Sequence, residues 1–386
     1  MYYYSLGKIP PKRHIQFRQE DGSLFQEELV SSKGFSGIYS NLYHIHMPTR
    51  IKAILDTEPY AVNILKDYGL KQTHLNTSEV GITGEDFLEA RKVLLVNDDV
   101  SVALCNPSKK SMDYYYKNGE GDELIFVHEG SGWLLSQFGK LRIGKGDYVV
   151  IPRTTIYKLE WDDSPVRLLI TETPTPIETP KNYRNELGQL LEHAPFCERD
   201  IRPPSELITE DEKGEYLVKI KKQGFIHNYL YDYSPFDLVG WDGFLWPYAF
   251  NINEFEPITG RIHQPPPVHQ TFQAHNLVVC SFVPRLFDYH PEAIPAPYNH
   301  SNIDSDEVLY YVEGNFMSRK GIDRGSFTLH PGGLPHGPHP GMMEKSIGKK
   351  ETLELAVMID TFRPLYLTDQ AMEYLDTDYP MSWTED

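Results

Sequence analysis

His300, Glu307 and His336 are the residues of this chain whose types and spacing could do chemistry. Two imidazoles and one carboxylate on neighbouring strands form a donor set that favours non-haem Fe(II) with coordination positions left open. Thiolates would turn the preference towards zinc or an iron–sulfur cluster, and an all-oxygen set towards magnesium or calcium; this set keeps iron, manganese, zinc and nickel in play. Such an ion can polarise an oxygen ligand and hold two reactants side by side.

In a chain with 15 histidines, chance alone brings some of them near a carboxylate, so the weight of the reading comes from a repeat. Glu307 is followed seven residues on by Gly314 in DEVLYYVEG, and Glu123 at the same interval by Gly130 in DELIFVHEG. Gly325 leads to Pro331 after six residues and to His336 after eleven, while Gly146 leads to Pro152 and Tyr157 at the same two intervals. Seven residues before Glu307 stands His300; seven before Glu123 stands Tyr116. The spacing is kept in both copies and the imidazoles in one. A repeat of fixed internal spacing implies a repeated structural unit, so the chain is expected to hold two similar antiparallel β-barrels and a single candidate metal centre. Glu123, without histidine partners, is expected to meet a nearby cation.

The elements that must position these residues are mostly strands. VSVALC, ELIFVH, GWLLSQ, DYVVIP and VRLLIT in the first half, and NLVVCSFVP, EVLYYVEG, SFTLHP and LELAVMID in the second, are short β-type runs between turns. The 28 glycines and 29 prolines supply the corners. Residues 1 to about 75 read as strands and loops that wrap the first barrel. Helices are predicted from Thr83 in TGEDFLEARKVLL and in NELGQLLEHAPF, and a short one in the tail TDQAMEYLDTDYP. RDIRPPSELITEDEKGEY reads as a linker or surface arm, giving expected domains of 1–190, without metal ligands, and 191–386, with them.

Around the triad, HPGGLPHGPHPG from His330 to Gly341 is rigid enough to hold His336 at a barrel mouth. His330 and His339 are then expected beside the ion without ligating it. Among His263, His269 and His275, His263 is the first choice to accept a proton from a phenolic substrate, because an unperturbed imidazole titrates near neutrality. Tyr298, Tyr310, Tyr311 and Phe316 flank the motif; alternate members of a strand pack the core, and the other face lines the pocket, where aromatic rings suit an aromatic substrate.

A length of 386 residues suits two domains, and a net charge of -18 opposes long-range attraction to nucleic acid or anionic membrane. Cys105, Cys197 and Cys280 are too few and too scattered for a disulfide scaffold. With no apolar run near the roughly 20 residues needed to span a bilayer and no signal-like leader, a cytoplasmic protein with reduced thiols is expected.

Three segments resemble the homogentisate 1,2-dioxygenase family of the cupin superfamily: QEELVSSKGFSGIYSNLYHIHMPTR near the N-terminus, APYNHSNIDSDE, and LPHGPHPG. The resemblance implies a mainly β bicupin of two jelly-roll barrels with a few peripheral helices, in which only the C-terminal barrel binds Fe(II). It implies assembly into homo-oligomers, trimers or hexamers, and cleavage of the ring of homogentisate by dioxygen to maleylacetoacetate, a step of tyrosine degradation. By the same resemblance His300, Glu307 and His336 match the iron ligands, His263 a histidine acting on the substrate hydroxyl, and His330 and Tyr298 pocket residues. The chain departs from the pattern where the family has a substrate-contacting tyrosine and this sequence has Phe316. A cupin enzyme with another metal and reaction, or a cupin that only binds a ligand, is the alternative.

Overall fold

The computed structural model describes residues 2–163, 165–314, 316 and 321–384. Among them the chain is mainly β, as expected, and three large antiparallel-dominated sheets stack in layers. The middle layer has nine strands, with Asp147–Ile151, Asp122–Glu129, Arg167–Thr173 and Ser101–Cys105 adjacent at its centre. One neighbouring layer has seven strands, including Ser131–Ser136, Tyr157–Trp161 and Tyr115–Asn118; the other also has seven, centred on Leu355–Thr361, Asp306–Glu313 and Phe327–His330.

Alternation of side chains decides which core each residue joins. In Asp122–Glu129, Leu124 and Phe126 enter the core shared with the later sheet, while Ile125 and Val127 enter the interior of the first barrel. In Asp306–Glu313, Val308, Tyr310 and Val312 face the shared core, and Tyr311 faces the opposite way. The middle sheet is therefore buried on both faces, which is why DYVVI is apolar without alternation and buried throughout.

The repeat read from the sequence is a repeat of structure. Gly130 and Gly314 both take positive φ, 107° and 110°, and each follows a register shift one turn earlier on the strand, between Val127 and Glu129 and between Tyr311 and Glu313. Glycine meets this conformation without the steric cost that a Cβ brings. In the first unit both walls are sheets. In the second, the wall facing the sheet consists of loops, the short pair Arg285–Leu286 with Glu351–Thr352, and an isolated bridge between His300 and His336.

Strands cross the division expected at about residue 190. Ile201–Arg202, Lys213–Lys222, Phe225–Tyr233 and Tyr248–Asn251 complete the sheets of the first unit, and Thr73–Leu75 pairs with Phe327–His330 in the second. The arm expected around residues 199–216 is thus partly strand. Both longer helix predictions are corrected. At Thr83 a single turn forms, closed by Ala90 N–H to the Asp86 carbonyl and capped by the Asp86 carboxylate, before the strand Arg91–Val96 takes over. In NELGQLLEHAPF the Asn185 side chain accepts the N–H groups of Leu187 and Gln189, so local turns win over helix. The tail forms a 3-10 helix, Asp369–Tyr374, and the α-helix Met342–Ser346 lies just past the His330–Gly341 loop. No helix among the described residues is long and apolar enough to cross a membrane.

Candidate metal centre

Glu307 points to the outer face of its strand, where its register partners are His330 on one side and Asp360 on the other. His300 and His336 come to it from loops. They are fastened to each other by two backbone hydrogen bonds, each N–H donating to the other's carbonyl at 2.9 Å. The imidazoles stand 4.2 Å apart between centroids. His300 Nε2 lies 3.8 Å and His336 Nε2 3.4 Å from the Glu307 carboxylate, and the three candidate donor atoms all lie within 4.8 Å of one another. With metal bonds of about 2.0–2.2 Å, donors on one octahedral face sit about 3 Å apart, so these side chains need only small adjustments to share an ion.

The outer nitrogens agree. His300 Nδ1 is 3.3 Å from the Tyr298 carbonyl and His336 Nδ1 3.3 Å from the Leu334 carbonyl, two residues back in each case. A carbonyl can only accept, so each Nδ1 carries the proton and each Nε2 keeps its lone pair for the centre. His336 Nε2 is buried without a hydrogen-bond partner, as a nitrogen reserved for an ion would be. His330 supports the carboxylate: its Nδ1 is 2.9 Å from Glu307 Oε1, its Nε2 3.3 Å from the Tyr379 hydroxyl, and its ring stacks on His336 at 4.4 Å. Burial disfavours a charged Glu307, but the imidazoles of His300, His330 and His336 outweigh it and hold the carboxyl well below the usual range.

The first unit shows the same register with other chemistry. Tyr116 pairs with Tyr157 as His300 pairs with His336, and Glu123 pairs with Ile151 and Glu172 as Glu307 pairs with His330 and Asp360. A guanidinium occupies the place of an ion: Arg91 Nη1 lies 2.7 Å from both Glu123 and Glu172, and the Tyr157 hydroxyl donates to Glu123 at 2.7 Å. Glu123 meets a cation there, and that cation is built into the chain.

Compared with known proteins, the chain matches the family model described as homogentisate 1,2-dioxygenase N-terminal over residues 86–252. It is 41% identical over 99% of its length, and 99% of the relative's, to a provisionally named dioxygenase of Saccharolobus solfataricus. The chain belongs to the homogentisate 1,2-dioxygenase family. Homogentisate 1,2-dioxygenases of mouse and of rice are each 26% identical, with matches that cover 66% and 54% of those enzymes' own lengths. Among solved structures, a cupin 2 conserved barrel domain protein from Leptotrichia buccalis resembles 79% of this chain and 100% of its own, at 10% identity and a TM-score of 0.33.

The remaining candidates from the sequence spread outward from the family's metal motifs. Tyr298, half exposed, lies 6.0 Å from the His300 ring and 4.9 Å from that of His263, so His263 stands at the mouth, one aromatic ring away from the centre. His263 Nδ1 is 3.5 Å from Asp288. Phe316 is buried and packs edge-on against Tyr311 at 4.6 Å, further along the same face of the sheet as Glu307. His269 is buried against Phe282, and burial, with Arg285 and His263 nearby, pushes its pKa down to about 3. His339 bonds Ser382 and stacks on Trp383, away from the triad, and His275 lies in the turn before Leu277–Phe282.

Two groups near the centre escaped the sequence reading. Asn302 Nδ2 reaches Glu307 Oε2 at 3.4 Å. Asp360 is buried with Oδ1 unpartnered, and burial together with the Glu307 charge pushes its pKa well above the usual range. The signal for Asp360 was its counterpart Glu172, but the interval from the motif glutamate is 49 residues in one unit and 53 in the other. Only strand register aligns them.

Proposed function

We propose that this protein is an Fe(II)-dependent ring-cleaving dioxygenase of homogentisate or a related hydroquinone-type aromatic acid. The observation that carries the reading is the pair of imidazoles clamped by a mutual backbone bridge, each with Nδ1 engaged and Nε2 turned to Glu307. Family membership supports the reaction class.

His300, Glu307 and His336 would hold the ion, and Fe(II) bound there would supply adjacent open positions for a ring hydroxyl and dioxygen. The chain's own part is to bind, orient and take up a proton. His330 keeps the Glu307 carboxylate turned to the centre through its 2.9 Å contact. His263, at the mouth beside Tyr298, accepts the hydroxyl proton as the substrate docks, and Asp288 orients it. Phe282, Tyr311 and Phe316 form an apolar aromatic wall that excludes water from the ring. Both oxygen atoms enter the product, so the reaction calls for no external reductant.

Exposed Ile262, Tyr289, Tyr298 and Ile303 on the loops around the mouth suit burial against a second copy of the chain, in keeping with a homo-oligomer.

The test is oxygen uptake by Fe(II)-reconstituted protein with homogentisate, gentisate and hydroquinone in parallel, with metal analysis alongside. Uptake is expected with homogentisate, and His336→Ala is expected to lose both iron and turnover while its melting temperature stays close to the parent's. Iron-loaded protein that consumes no oxygen with any of the three, or a variant that keeps iron and activity, would refute the reading.

A further inference from the structure

The deepest cations of this molecule all have identifiable partners except one. Arg91 is paired with two carboxylates, and Arg167 donates to the carbonyls of Thr77, Val80 and Gly325 and to the Tyr310 hydroxyl. Arg285 is different. Its guanidinium donates to the Val283 carbonyl at 3.1 Å and lies 5.6 Å from the centroid of the Phe282 ring, with no ion-pair partner among the described residues. In a chain with 55 acidic residues a carboxylate could readily have been placed there. A guanidinium withdrawn from water without an anion is costly, and burial pushes the pKa of Arg285 down against the more distant pull of Glu354 and Asp288.

Its position relates this cation to the metal centre. Phe282 pairs with Ala356 and Ala356 with Tyr311, so these three side chains share the sheet face that carries Glu307, four residues back along the strand. At about 3.4 Å per residue that separation is about 13 Å, which a hydroxylated aromatic acid fills when its ring oxygen meets an ion beside Glu307 and its carboxylate meets a guanidinium. The surface between is apolar, with Leu309, Phe316 and Ala356 against Phe282 and Tyr311. Behind Arg285, residues 289 and 290 are tied to residues 260 and 261 by backbone hydrogen bonds, which keeps Asp288 engaged with His263 and away from the guanidinium.

We infer that Arg285 anchors the carboxylate of the aromatic acid, at the end of the pocket opposite the metal ligands. The inference rests on the proposed function for the identity of the ring, and it explains how the chain recognises a polar substrate although Phe316 offers no hydroxyl. A planar guanidinium fits a carboxylate through two parallel hydrogen bonds, a geometry that lysine lacks.

The experiment is anaerobic calorimetry of the iron-loaded protein with homogentisate, its methyl ester and hydroquinone. In the parent protein the acid is expected to bind about 10–100-fold more tightly than the ester, the range set by a charge-assisted hydrogen-bonded pair. Arg285→Gln is expected to remove that preference and leave hydroquinone binding unchanged, with Arg285→Lys between the two. Equal affinity of the parent for acid and ester would overturn the inference without any variant, so a folding defect in Arg285→Gln cannot shelter it. A variant that loses acid and hydroquinone alike would overturn it too. Arg285-dependent binding of the acid without oxygen uptake would uphold the carboxylate site and sink the dioxygenase reading; uptake with no preference for the acid would do the reverse.

Discussion

Glu307 is held by more imidazoles than an ion needs. His330 is the nearest, at 2.9 Å, yet its Nδ1 is spent on the carboxylate and its Nε2 faces the Tyr379 hydroxyl, so it orients a ligand and is not one. Removing such an outer partner commonly lowers metal affinity 10–100-fold. His330→Gln should therefore raise the iron dissociation constant by about that factor in a competition titration, while saturating iron restores most of the turnover. An unchanged affinity would show that Glu307 is oriented by other means. Most of this was legible in the residues, because the spacing named the three candidate donors and placed His330 beside them. The proton on each Nδ1 was not legible, since it depends on which carbonyl each ring meets.

At the scale of elements, the site depends on a bridge two residues wide. His300 and His336 exchange backbone hydrogen bonds, and Asn299 packs directly over Gly337, where an added Cβ would come within 2.8 Å of the Asn299 Cα. Real Cβ contacts do not reach that distance, so Gly337→Ala must push the two loops apart. The expected outcome is loss of iron binding with little change in the melting temperature, since the bridge lies outside the main sheets; retention of stoichiometric iron after dialysis would count against the bridge as the positioning device. The equivalent bridge in the first unit joins Tyr116 and Tyr157 around Arg91. The sequence showed the tyrosines and the missing imidazoles. It did not show Arg91, which was taken for part of a helix because one true helical turn, Asp86 to Ala90, precedes it and the ladder to Ser101–Cys105 competes only once the sheet exists.

Across the whole molecule, the N-terminal segment is clamped onto the body by a charged contact. His44 Nδ1 lies 2.7 Å from Asp237 and Nε2 3.1 Å from Glu28, joining Tyr39–His44, Gln26–Ser31 and the approach to Leu238–Gly243. Burial would lower the pKa of this imidazole, but the hydrogen bonds to Asp237 and Glu28 outweigh it and raise the value to about 9. A folded-state pKa above the unfolded one stabilises fully below the unfolded value of about 6.5 and is lost as pH rises through the folded value. The difference in unfolding free energy between the parent and His44→Gln should thus be on the order of 3 kcal/mol at pH 6 and should shrink towards pH 9. Denaturant melts at both pH values measure it, and a difference independent of pH would exclude the charged clamp.

By itself the sequence determined the β class, the doubled unit and the three side chains fit to hold an ion, because strand periodicity and fixed intervals are local properties that survive in one dimension. Tertiary structure alone decided that His300 and His336 face each other across a bridge, that Asp360 stands beside Glu307, that Arg91 fills the other unit and that Arg285 lies unpaired along the same face. Each of these depends on strand register or on loops of unequal length, and such contacts are fixed by the packing of distant segments, which no interval in the chain records.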